Sequence, residues 1–279
     1  MVSSLITPIR TSIHGRRLGL GSNGELLVNG RVLMGPTGPD VNPIWENAPL
    51  AYDPSYAYEI FDDFMDPTTS ATSNRHIWTV LSDGATGTPV YQDAAGGIFN
   101  VVTAAADNDY SAYSSFHEPF KFAEGKKLWA EMRFKITEAT TNESTWWFGL
   151  SDTLTTGGMQ ANAAGPLASY DGALIYKTPE TALTVNFETS NAGTQNTLSA
   201  FATSISNTWH RCGFYFDGAA TTSKLTPYFH NGTSWAAGAA QDITLSGLEE
   251  MHIVYGVKAG PTAAAETLMI DFVKVVQLR

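Results

Sequence analysis

Two groups of oxygen-bearing side chains crowd together along the chain: Asp62, Asp63 and Asp66, and Asp107, Asn108 and Asp109. Calcium takes roughly six to eight oxygen ligands, and such groups can lend several. Neither matches EF-hand spacing, and both fit acidic turns facing water better. Histidines 14, 76, 117, 210, 230 and 252 are scattered without metal-ligand spacing, and Cys212 is the single cysteine. Neither a disulfide framework nor a Cys-rich zinc site can be built from these. The reading is therefore no metal and no cofactor. Gly19-Leu20-Gly21-Ser22-Asn23-Gly24 spells GxGxxG. That motif binds pyrophosphate only when a helix N-terminus follows it. Here Glu25–Val28 and Asn29-Gly30 follow, a strand and a turn. No GxSxG, HExxH or P-loop occurs. Glu131 lies on a long strand, but cleavage of a glycosidic bond takes two carboxylates, and two positions on stands Arg133. Trp146-Trp147 offers rings for stacking a sugar, although adjacent strand residues point to opposite faces. The expectation is a protein that is not an enzyme.

The chain that must position these residues is acidic and sparsely charged. Its 279 residues carry a net −11, with 15% charged and 43% hydrophobic. Sixteen basic residues against 27 acidic ones cannot build a general phosphate-neutralising face, so nucleic acid is not expected as a partner. No apolar run approaches a membrane span, and Met1–Arg10 lacks a secretory pattern. Asn142-Glu143-Ser144 and Asn231-Gly232-Thr233 match the glycosylation pattern, without meaning in a chain that is not secreted.

The charge is uneven. Residues 1–31 hold Arg10, Arg16, Arg17 and Arg31 against Glu25, a net +3, which leaves −14 on the remainder. Asn29-Gly30 separates Glu25–Val28 from Arg31–Met34, the strongest short-range hairpin signal. Gly35-Pro36-Thr37-Gly38-Pro39-Asp40, then Pro43, Pro49 and Pro54, forbid a helix or a central strand. Residues 1–35 thus read as an extended arm with a small hairpin, 36–56 as a linker, and 57–279 as the body.

In the body the period is two. Leu128, Ala130, Met132, Phe134 and Ile136 face one way, opposite Trp129, Glu131, Arg133, Lys135 and Thr137, as in a half-buried antiparallel strand. Val185 and Phe187 alternate with Thr184, Asn186 and Glu188. His210, Cys212, Phe214 and Phe216 share a face opposite Trp209, Arg211 and Tyr215. That placement makes His210 a core histidine and Cys212 a small buried hydrophobe. Thr267–Leu278 reads as a central strand with Leu268, Ile270 and Phe272 on one side and Val273 and Val275 on the other. Pro227 should place Lys224–His230 at a sheet edge or bulge. Leu248–Met251 fits one helical turn. More than ten short strands and no sustained helical period give an all-β, antiparallel two-sheet sandwich.

The order of features in residues 58–279 resembles the concanavalin A-like jelly-roll sandwich of lectins, glucanases and many phage proteins. The resemblance is carried by Glu59–Phe64 with Ile77-Trp78, by the glycine pair of Asp93–Val101, by Leu128–Phe134, and by Phe148–Asp152, Trp209–Phe214 and Ile270–Val275. Glucanases of this fold place their carboxylates as Glu-x-Asp-x-x-Glu, a spacing this chain lacks. The arm, with Ser12–Leu20, together with the jelly roll resembles the decoration (cement) proteins of tailed-phage virions. This second resemblance implies a capsid-surface protein whose partner is the major capsid protein and whose oligomer is a homotrimer. Arg10, His14, Arg16, Arg17 and Arg31 are then the residues expected to contact that partner. The alternative reading is a carbohydrate-binding module, lectin-like, whose partner is a host-surface glycan. It predicts an exposed aromatic shelf.

Overall fold

The computed structural model describes residues 18–20, 26–28, 31–32, 42–45, 48, 54–65, 77–83, 90–92, 96–139, 142–161, 164–179, 183–220, 222–262 and 264–279. Three short strands, β1 (Leu18–Leu20), β2 (Leu26–Val28) and β3 (Arg31–Val32), form an antiparallel sheet in that order. Gly19 and Leu20 of the GxGxxG stretch lie on β1, antiparallel to β2; Gly21–Gly24 and Asn29-Gly30 lie outside the described residues.

The body follows as β4 (Ala57–Asp62), β5 (Trp78–Ser82), β6 (Val90–Gln92), β7 (Ile98–Val102), β8 (Tyr110–Ser115), β9 (Leu128–Thr137) and β10 (Thr145–Ser151). It continues as β11 (Gly172–Lys177), β12 (Thr184–Asn191), β13 (Thr194–Thr203), β14 (Trp209–Phe216), β15 (Thr222–His230), β16 (Trp235–Ala237), β17 (Gln241–Thr244), β18 (His252–Lys258) and β19 (Thr267–Leu278). A seven-stranded sheet has the order β13-β12-β11-β10-β18-β8-β5. A nine-stranded sheet has β16-β15-β14-β9-β19-β7-β6, with β17 also on β15 and β4 also on β19. All-β, antiparallel and two-layered, the fold is as the alternation implies.

The inner faces meet in one core. Met132, Phe134, Cys212, Phe214 and Phe229 from the larger sheet pack with Trp146, Phe148, Phe187 and Tyr255 from the smaller. Phe134 and Trp146 lie 4.5 Å apart between ring centroids, and Trp146 stacks on Phe229 at 6.0 Å. Each such side chain contributes roughly 1.5–3 kcal/mol by leaving water. His210 is fully buried here, its Nδ1 and Nε2 on the carbonyls of His230 and Ile205. Burial holds its pKa below the usual histidine range.

Two local expectations are corrected and a third, at Pro227, holds. The register of β19 against β9 shifts between Ile270 and Phe272, a bulge that puts one extra residue on β19. Leu268 and Ile270 before it and Val273 and Val275 after it all enter the core, and Phe272 turns outward. Pro227 lies at a bulge: β15 pairs with β14 on one side and with β16 and β17 on the other, where Tyr228 faces Ala237 while Leu225 faces Gln241, so residues 238–240 oppose only Thr226 and Pro227. Pro227 occupies the gap between those two short strands, where its missing N–H leaves no ladder bond unmade and its carbonyl accepts from Gly238 N. Leu248–Met251 forms no helical turn. Gly247 adopts φ +84°, and Met251 instead pairs with Phe120.

The outer faces of the two sheets differ. Over the seven-stranded sheet, the segment between β10 and β11 folds back and brings Met159 and Tyr170 onto Trp147, Leu174, Tyr176 and Val254. Gly256 makes room for this: a Cβ there would come within 2.4 Å of the Trp147 ring. Trp146 belongs to the core and Trp147 to this covered layer, both fully buried, so the pair forms no sugar platform. Over the nine-stranded sheet, a 3-10 turn at Pro43–Trp45 in the segment read as linker lays Ile44 on Trp129, Val276 and Ala57. It covers one half of that face.

Candidate functional site: the open half of the nine-stranded face

The outward residues of β9 alternate strictly, and register carries the pattern across the sheet. Arg133 stands opposite Arg211 on β14 and Phe272 on β19. Lys135 is opposite Trp209, and Glu131 is opposite Gly213 and Lys274. His230 lies beyond Arg211, with Trp235 beyond it, and Phe61 lies beyond Lys274. Five aromatic side chains and four cations thus share one surface.

Like charges facing each other across a ladder are destabilising. Here each cation is held by a carboxylate, a ring, or both. Arg133 pairs with Asp271 and lies 4.6 Å over the Trp209 ring, which Lys135 approaches at 5.4 Å from its centroid. Arg211 donates Nε to Glu131 at 2.5 Å and lies 5.3 Å from Trp235 and 5.9 Å from Phe272. Lys274 pairs with Glu59 at 3.4 Å and lies 5.1 Å from Trp45 and 5.6 Å from Phe61. Cation–π contact fixes both partners: the ring is oriented, and the guanidinium is pre-organised. Phe61 is 51% exposed, and Trp209, Trp235 and Phe272 are half-buried.

Glu131 is the hub between the covered and open halves. It is 1% exposed and accepts from Asn42 Nδ2 at 2.8 Å, from Trp45 Nε1 and from Arg211 Nε. Asn42 Oδ1 in turn accepts from Ile44 N at 3.1 Å, which starts the turn. Gly213, directly opposite, lets Ile44 lie against the sheet, since a Cβ there would come 2.7 Å from Ile44 Cδ1. Three donors hold the Glu131 carboxylate in place.

Three other ionisable clusters are structural in geometry. Glu138 and Lys177, each with a side chain 1% exposed, pair at 2.9 Å at one end of the sandwich. Burial acts to raise the Glu138 pKa, but Lys177 and Ser144 outweigh it and hold it below the usual range. Glu188 accepts from Tyr170, Gln195 and Thr197, and burial nevertheless pushes its carboxyl up. Asp109 is driven up to about 6 by burial and by a hydrogen bond with Asp83, against a lowering bond from Ala104 N. Nearby Lys258, its Nζ on the carbonyls of Met159 and Gln160, is depressed to about 8 chiefly by burial.

The acidic turns hold themselves together. Asp62 accepts from Trp78 Nε1 at 2.7 Å and from Phe64 N at 2.8 Å, and Asp107 accepts from Asn108 Nδ2; Asp66 lies outside the described residues. Among the described residues, no three His, Cys, Asp or Glu side chains are grouped to hold a metal ion. Arg10, His14, Arg16 and Arg17 also lie outside the described residues. Arg31 begins β3, where the backbone alone is described. Sequence reasoning found the β9 and β14 members of the aromatic face but not Trp235, Phe61, Phe272 or Trp45, which come from four distant segments.

No model of a known protein family matches the chain. No curated protein sequence matches it either. Solved structures do share its fold. Peanut lectin, solved with a 9mer peptide, superposes with a TM-score of 0.54 at 12% identity, over 80% of this chain and 98% of its own. Basic winged bean lectin with Tn-antigen gives 0.54 at 10% identity, over 80% and 99%. A protein of unknown function from Shewanella oneidensis MR-1, SO2946, gives 0.50 at 15% identity, over 80% and 87%. The fold is the concanavalin A-like jelly-roll sandwich. At these identities the likeness establishes architecture alone.

Proposed function

We propose that the protein is a non-catalytic carbohydrate-binding β-sandwich and that its ligand lies on the open half of the nine-stranded face. The observation that carries this is the cluster of Trp209, Trp235, Phe272 and Phe61 on one partly exposed surface, each ring beside a cation. Aromatic side chains with apolar area and little conformational freedom suit the C–H faces of sugar rings. The corresponding face of the seven-stranded sheet is filled by its own chain. Lectins are among the proteins that share this fold, which supports the reading without establishing it. Screening the full chain against an array of immobilised glycans tests it: binding to at least one saccharide class is expected, and a blank array would overturn it.

The virion-decoration reading keeps one supporting observation. Asn42 and Trp45 are tied to Glu131, so residues 42–45 are fixed on this face, a point from which an arm can be anchored. In that reading the basic arm meets carboxylates of a capsid subunit, and trimers gain from three simultaneous contacts. Removing residues 1–35 should then abolish binding to capsids while leaving the sandwich folded; truncated protein that still coats capsids fully would exclude it.

A further inference from the structure

We infer that the saccharide this face accepts is acidic, a chain of sugars carrying carboxylates or sulfates. This rests on the carbohydrate-binding reading above and goes beyond it. The argument is an inventory of donors and acceptors. A neutral sugar presents hydroxyls, which need acceptors as much as donors. Among the described residues the face has three carboxylates, each held by a cation: Glu131 by Arg211 together with Asn42 and Trp45, Asp271 by Arg133 through Oδ2, and Glu59 by Lys274 through Oε2.

Donors are in surplus. Lys135 has no carboxylate partner among the described residues and lies only against the Trp209 ring. Arg211 uses Nε on Glu131, and Arg133 uses Nη1 on Asp271, which leaves further N–H groups on both. Cations with N–H groups beyond those their carboxylates take up favour an acceptor-rich ligand, and stacked guanidiniums suit the planar, two-oxygen geometry of a carboxylate or sulfate. Charge complementarity agrees. Among the described residues, four cations against three carboxylates make this patch net positive on a chain of −11. A polyanion is repelled by the molecule at large, so the patch must act at short range, inside a Debye length of about 8 Å at physiological salt.

The test uses the full chain and paired probes of one backbone each: polygalacturonate with its fully methyl-esterified form, and dextran sulfate with dextran. Binding is read by biolayer interferometry at physiological salt. The expected result is binding to at least one acidic member with affinity at least about tenfold above its neutral partner. Lys135→Ala, which removes a cation without stranding a buried carboxylate, should weaken binding several-fold, and Lys135→Arg should restore it. The uronate and sulfate pairs separate the two sources of negative charge. Equal or tighter binding of the neutral forms overturns the acidic assignment and leaves the carbohydrate reading standing. Binding to none of the four, together with a blank glycan array, removes the carbohydrate reading itself. Acid binding indifferent to Lys135→Ala, or a face shown by sedimentation to be covered by a second copy of the chain, also overturns the assignment.

Discussion

Arg211 and Glu131 sit on neighbouring strands of the nine-stranded sheet, and one hydrogen bond between them joins two different surfaces. On one side, the Glu131 carboxylate is capped by Asn42 and Trp45, which close half of the sheet's outer face. On the other side, the Arg211 guanidinium lies between Trp235 and Phe272 on the open half. A single buried carboxylate therefore seats the polypeptide entering the sandwich and orients the centre of the proposed binding face.

Glu131→Ala should be costly, because it leaves Asn42, Trp45 and Arg211 without their acceptor at once. Arg211 is about one-third exposed and can reach water, so the expected loss is about 2–3 kcal/mol rather than the full cost of a stranded buried charge. Urea unfolding measures it. Limited proteolysis should also show faster cleavage around residues 42–48 in the variant. A variant as stable as the parent would show that the carboxylate is not the hub.

The Glu138–Lys177 pair predicts an acid-side loss of stability. Its carboxyl is held below the ordinary range when folded, so its contribution is complete above the unfolded glutamate value and disappears as pH falls through the lower, folded value. Lys177→Met, which strands the buried carboxylate, should cost about 3–5 kcal/mol at neutral pH, and adding Glu138→Gln should recover most of it. Melting temperatures of both variants from pH 3 to pH 7 decide the matter.

Asp109 predicts the opposite sign. Its carboxyl binds a proton more tightly in the folded state, near pH 6, than an unfolded aspartate does. The stability it contributes is complete below the unfolded value and is lost as pH rises through about 6. Asp109→Asn keeps a neutral hydrogen-bonding group beside Asp83 and Ala104. It should raise the melting temperature at pH 7 relative to the parent and narrow the gap at pH 4. An equal effect at both values would contradict the shared-proton geometry.

The period-two alternation made most of the sandwich readable before any coordinates. Strands such as β9 and β14 carry unbroken apolar faces, and burial of one face leaves their register no freedom. The three-residue β6 and β16 and the four-residue β17 are too short to show a period. The alternation groups Phe272 with Leu268 and Ile270 because a bulge is one extra residue with no composition of its own. Trp129, Glu131, Arg133 and Lys135 were legible as one face of one strand. What made that face a candidate site is the arrival of Arg211, Trp235, Phe61 and Trp45 from segments far away along the chain, Trp45 being 86 residues from Glu131. Cross-sheet register sets such contacts, and local sequence does not encode them.

The most direct measurement for the central claim is saccharide binding by the parent and by a Trp209→Ala/Trp235→Ala variant, with melting temperature followed alongside. Both rings are half-buried on the outer face and belong to no inner core layer. The account predicts that the parent binds at least one saccharide class and that the variant loses that binding at least tenfold (about 1.4 kcal/mol) while melting as a cooperative fold. Undiminished saccharide binding by the folded variant would contradict it and place the ligand elsewhere on the sandwich.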